Sequence, residues 1–217
     1  MSARTGRTAA AASRPGMLDA ALFDLGKVVL DWDPRYFYTR FFAGDATALE
    51  RFIASVITPA WIHEMDAGKP VAQAVAERQG AFPGHAALIA MWVEGWPVML
   101  RGEIAGTVQV LDELRARGLR LYALTNFSAE TYPIAKARCP SLALFEDVVM
   151  SAEVGLIKPD PRIYAHAIRR CRLAPARTVF VDDLRANVDA AAAAGMHALH
   201  FTTPAQLRAD LAPLLAR

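Results

Sequence analysis

A chain of 217 residues is long enough for one α/β domain with an insertion and can bury a sizeable core. Its 24 Lys and Arg against 22 Asp and Glu leave a net charge of +2 without a basic stripe, which gives no global case for nucleic acid or an anionic membrane. Alanine inflates the apolar fraction of 54%, and the longest purely apolar run, residues 86–93, is too short to span a bilayer.

Residues 1–16 (MSARTGRTAAAASRPG) are rich in Ala, Arg and Ser, contain no acid and lack the apolar stretch of a secretion signal. A disordered tail is expected there, with a transit segment as the other reading. Cys139 and Cys171 fit no metal spacing and read as structural thiols of a reducing cytosol, so a cytoplasmic protein is expected.

The apolar run ALF (21–23) is a buried strand that ends at Asp24. Residues 34–98 then contain no convincing strand. Short helical stretches are punctuated there at Gly44, Thr58-Pro59, Gly68-Lys69-Pro70 and Phe82-Pro83-Gly84. Asp31 and Asp33 precede Pro34 and suit the capping of the first of these helices. From residue 100 the pattern alternates. Helix 103–117 is stopped by Gly118, LRLYAL (119–124) is a strand, and 128–138 is helical despite Pro133. DVVM (147–150) is a short strand, and Asp160 with Pro161 opens a helix to Cys171. TVFV (178–181) is a strand, 184–194 a helix closed by Gly195, and 197–201 the last strand. Such alternation calls for a doubly wound, Rossmann-like parallel sheet. The core is expected to be residues 17–33 and 99–217, with a helical insertion over 34–98.

Ligands of an open parallel sheet bind beyond the carboxyl ends of its strands. The first residues past those ends are Asp24, Thr125 with Asn126, and Asp182 with Asp183, while Lys158 lies in the loop after DVVM. Three crowded carboxylates repel one another unless a cation sits among them. With no His or Cys in the set, oxygen ligands suggest a hard ion, Mg²⁺. Thr125, Lys158 and the backbone N–H groups after Asn126 suit an anion. A metal site, an anion site and a carboxylate together describe phosphoryl transfer, with Asp24 attacking phosphorus.

FDLGKV (23–28), LTNFS (124–128), GLIKPDPRIY (155–164) and FVDDLRANVDAAAAAG (180–195) resemble, in order and spacing, the four motifs of the haloacid dehalogenase superfamily. The helical insertion falls where that superfamily carries a helical cap. The resemblance implies a phospho-aspartate intermediate at Asp24 and Mg²⁺ held by Asp24, the Gly26 carbonyl and Asp183. Asp182 would orient the metal's water or Lys158, or join the metal site itself. Thr125 and Asn126 would hold phosphate, and Lys158 would balance its charge. A small phosphorylated substrate is implied as partner, with no nucleic acid and no membrane.

One position departs from the pattern. Phosphatases of this superfamily usually carry a second Asp two residues after the nucleophile, for leaving-group protonation, and here it is Gly26. Three readings stay open. A Mg²⁺-dependent phosphatase could use His63, Glu64, Asp66 or Asp31 instead, or an easy leaving group such as a sugar's anomeric oxygen. The form FDLG-x-V-x-x-D-x-D, through Asp31 and Asp33, resembles the bacterial glucose-1-phosphate phosphatase-like branch, and Trp61, Trp92 and Trp96 could then line a sugar pocket or simply pack helices. A 2-haloacid dehalogenase also lacks the second Asp, but that branch uses no metal and has small or neutral residues where Asp182 and Asp183 stand. A non-catalytic relative would only bind a phosphorylated ligand.

Overall fold

The computed structural model describes residues 17–216; the expected tail over 1–16 lies outside them. Five strands form one parallel sheet: β1 (Ala20–Phe23), β4 (Arg120–Thr125), β5 (Asp147–Met150), β6 (Thr178–Asp182) and β7 (His197–His200), in the order β5-β4-β1-β6-β7. Period-two alternation sends Ala21 and Phe23 of β1 into one apolar cluster and Ala20 and Leu22 into another on the opposite face. The sheet is thus buried on both sides, as expected of a doubly wound core.

Between β1 and β4 the chain first forms a two-stranded antiparallel ribbon from β2 (Leu30–Trp32) and β3 (Leu100–Glu103). Sequence reading missed this ribbon: LDW and LRGE are too short and too mixed to show a period. Between its strands lie six helices: α1 (Arg35–Tyr38), α2 (Ala46–Ser55), α3 (Pro59–Asp66), α4 (Val71–Ala81), α5 (Ala86–Ala90) and α6 (Trp92–Met99). Asp45 caps α2 and Thr58 caps α3, each accepting a backbone N–H with its side-chain oxygen. Asp33 accepts the Arg35 N–H at the start of α1, as expected, whereas Asp31 instead accepts the Tyr36 hydroxyl.

The remaining helices flank the sheet: α7 (Ala105–Ala116), α8 (Tyr132–Arg138), α9 (Ser151–Val154), α10 (Pro161–Arg170), α11 (Arg185–Ala193) and α12 (Pro204–Leu215). The helix expected from residue 128 starts only at Tyr132. Ser128 explains the delay, because its hydroxyl accepts the Glu130 N–H and its carbonyl the Thr131 N–H, a local turn that competes with the helix. Among the described residues no helix is long and apolar enough to cross a membrane.

Candidate active site

Register levels the reactive side chains. Phe23 pairs with Ala123 on one side and Val181 on the other, so Asp24, Thr125 and Asp182 leave the sheet at adjacent points of one edge. The strand order doubles back around β1, and a crevice opens at such a reversal.

Lys158 joins the set from the loop after α9. The residue is only 3% exposed, and its ammonium lies 2.9 Å from Asp24 Oδ1 and 2.7 Å from Asp182 Oδ2 and donates to the Leu124 carbonyl at 2.9 Å. Burial alone would push its pKa down, but Asp24 and Asp182 outweigh that and raise it, so the lysine stays charged. Burial is the main cause that lifts the Asp24 carboxyl to about 7, against the pull of Lys158. Asp183 is raised as well, by burial and then by Asp182.

The carboxylates differ in how much of each is already bound. Asp182 accepts Lys158 and Asn187 at Oδ2, and Leu184 N–H and Asn187 at Oδ1, so both oxygens are occupied. On Asp24, Oδ1 carries the Leu25 N–H and Lys158, and no hydrogen bond engages Oδ2 among the described residues. One oxygen from each of Asp24, Asp182 and Asp183 lies within 4.8 Å of the others. An all-oxygen set of this charge, with one lysine against three acids, suits a hard divalent cation.

Thr125 is fully buried, and its hydroxyl has no partner among the described residues. Natural proteins rarely leave such a group unpaired, and beside a lysine it is suited to an anionic oxygen. Asn126 is otherwise engaged: its amide donates to the Lys158 carbonyl at 3.1 Å and accepts the Lys158 N–H at 2.8 Å. Beside the phosphate contact expected of it, its side chain holds the Lys158 loop.

The four candidates for the missing acid separate clearly. His63 is exposed, and Glu64, also exposed, pairs with Lys69 at 2.6 Å. Asp31 holds the Tyr36 hydroxyl at 2.7 Å. Asp66, at the end of α3, lines the same cleft as Gly26 and interacts with the charge of Asp24. Burial first, and then Asp24, raise its carboxyl to about 7, with the Ser128 N–H and Lys158 opposing. Ser151 fixes that end of α3 by donating to the Asp66 carbonyl while accepting the Phe127 N–H. Sequence reading did not find Ser151. Its only signal was a serine at the carboxyl end of β5, the edge that carries the other reactive groups.

Residues 18–195 match a hydrolase family model described as haloacid dehalogenase-like hydrolase. A sesquiterpene phosphatase of Aspergillus oryzae is 29% identical over 186 residues, 84% of this chain and 89% of that protein. A phosphatase of Mycobacterium tuberculosis is 34% identical over 99 residues, 45% of this chain and 46% of that one. A crystal structure of a family enzyme from Bacteroides thetaiotaomicron, in complex with magnesium and inorganic phosphate, superposes with a TM-score of 0.66 at 20% identity, over 86% of this chain and 95% of that one. At that identity the likeness is one of fold.

Proposed function

The chain belongs to the haloacid dehalogenase-like hydrolases, and from that membership we propose that it is a Mg²⁺-dependent phosphatase of small phosphate monoesters, with Asp24 as nucleophile. The observation that carries this reading is the Lys158 ammonium held between Asp24 and Asp182, beside an unpartnered buried Thr125 hydroxyl. Asp24 and Asp183, with the Gly26 carbonyl, would hold the cation. When bound, Mg²⁺ supplies positive charge against the phosphoryl oxygens.

Oδ2 of Asp24 attacks phosphorus as the ester P–O bond breaks. Asp66, protonated, gives its proton to the departing alkoxide, and the alcohol leaves. Asp66, now a carboxylate, takes a proton from the water that attacks phospho-Asp24. The P–O bond to Asp24 breaks, phosphate leaves, and both carboxyl groups return to their starting state. Thr125 and Lys158 bind the phosphoryl oxygens throughout. Asp182, with both oxygens occupied, keeps Lys158 aimed at the site and is given no place on the metal. Residues 34–98 act in this scheme as the cap that brings Asp66 over Asp24.

Phosphate release from a panel of monoesters, with and without Mg²⁺, tests the proposal beside Asp24→Asn. Wild type should turn over only with the metal, and the variant should lose at least about 10³-fold. Release that persists in Asp24→Asn would remove the nucleophile assignment. Turnover of 2-chloropropionate in chelator would point to carbon chemistry instead.

A further inference from the structure

We propose that the substrate is the phosphate monoester of an apolar alcohol, whose hydrocarbon body lies in a tryptophan-walled cleft beside Asp24. This rests on the phosphatase reading above.

The cleft holds about 550 Å³ of unfilled space, much of it at an open mouth through which a longer ligand can extend. Gly26 and Asn126 put its floor next to the nucleophile. Its walls come from Trp32 on β2, Ile62 and Met65 on α3, Trp92 and Trp96 on α6, and Phe127. The rings meet edge-on or tilted: Trp32 to Trp92 at 6.3 Å, Trp32 to Trp96 at 6.5 Å, and Trp96 to Phe127 at 5.7 Å. They therefore form one continuous apolar surface.

The polar groups of that wall are mostly engaged by protein. Asn126 is bonded to Lys158, the Ser128 hydroxyl to the Glu130 N–H, and the Thr131 hydroxyl to the Ser128 carbonyl. Beyond the acid Asp66, the donors of this wall without an acceptor among the described residues include the Trp32 indole N–H and the Ser128 hydroxyl, which only accepts. A sugar would enter with several hydroxyls and find few partners, and unpaired buried hydroxyls are unfavourable. A hydrocarbon asks for none. Gly26 completes the case, because beyond its own chain neighbours no atom lies within 4 Å of where its Cβ would stand. The space a second aspartate would occupy is left to the leaving group.

The test is kcat/KM for n-alkyl monophosphates from ethyl to octyl, below their micelle concentrations, with glucose 1-phosphate alongside. Each added methylene should raise kcat/KM roughly two- to fourfold until the cleft is full, and octyl phosphate should exceed the sugar phosphate. In Ile62→Glu, a charge in the wall should flatten that slope. Should that variant not fold, 1-octanol must compete with substrate in wild type while glycerol does not. Asp24-dependent turnover with no chain-length slope, or with glucose 1-phosphate as the better substrate, would overturn the substrate class and leave the phosphatase reading intact. No turnover of any ester would overturn both.

Discussion

At position 26 the backbone φ is ordinary and the surroundings are open, so neither strain nor crowding requires a glycine. Gly26→Asp should therefore fold with a melting temperature close to that of wild type, while its carboxylate fills the inner end of the cleft. The ratio of octyl to ethyl phosphate turnover should drop, measured as kcat/KM for both esters. In the proposed mechanism the proton comes from Asp66, which lines the same cleft. Burial and the charge of Asp24 move its carboxyl from 3.8 to about 7, so below neutrality it carries the proton that a leaving alkoxide needs. Wild-type turnover of an alkyl ester should fall as pH rises past about 7. Asp66→Asn should lose that limb and about 10²- to 10⁴-fold in kcat, with a smaller loss on an activated aryl ester whose leaving group needs no proton. Stability follows with a definite sign. A carboxyl whose folded pKa exceeds its unfolded one binds protons more tightly when folded, so its contribution is complete at low pH and lost as pH climbs from 3.8 to about 7. Melting temperature against pH should be flatter over that window in Asp66→Asn. An unchanged curve in the variant would remove Asp66 as the group responsible.

Among the elements, the end of α3 is set by one side chain from the sheet layer. Ser151 at the start of α9 donates to the Asp66 carbonyl and accepts the Phe127 N–H, linking α3 to the loop after β4. Ser151→Ala leaves both backbone groups unpaired in a buried place and should cost about 1–3 kcal/mol, read by denaturant unfolding. It should also lower kcat more than it raises KM, because Asp66 loses its position while the phosphate cradle stays. The regular elements were legible because their periods are clear: DVVM appears as β5 with the expected bounds, and Asp160 with Pro161 opens α10. The reactive edge was legible too, since strand ends in a parallel sheet must collect on one side. What escaped was non-local. The bond from Ser151 to Asp66 joins residues 85 positions apart, and β2 and β3 pair across all six helices between them. The partner of Asn126 escaped for a similar reason: it is the backbone of Lys158, 32 positions on, which no local pattern announces.

On the scale of the molecule, one apolar cluster runs from a face of the sheet into the helical segment without a break. Phe23, Ala123 and Val181 of the sheet belong to the same packed group as Phe37, Trp61 and Trp96 of the insertion. A continuous core unfolds as one unit when neither part can keep its share of buried surface alone. The chain supplies its own probe of this, because all four tryptophans lie between residues 32 and 96 and none is in the parallel sheet. Tryptophan fluorescence therefore follows the insertion and its ribbon, whereas far-UV circular dichroism follows every helix and strand. The two midpoints in urea should coincide. Mg²⁺ extends the argument, since the ligands proposed for it, Asp24 and Asp183, belong to the sheet edge, whereas the tryptophans belong to the insertion and its ribbon. At a concentration of about 100 times its Kd the ion should add roughly 2.7 kcal/mol to the folded state, and in a single cooperative unit the fluorescence midpoint must move with it. Asp183→Asn should abolish that movement. A fluorescence transition that precedes the circular dichroism transition and ignores Mg²⁺ would mean that the insertion melts by itself, and the shared cluster would then contribute little to holding the two layers together.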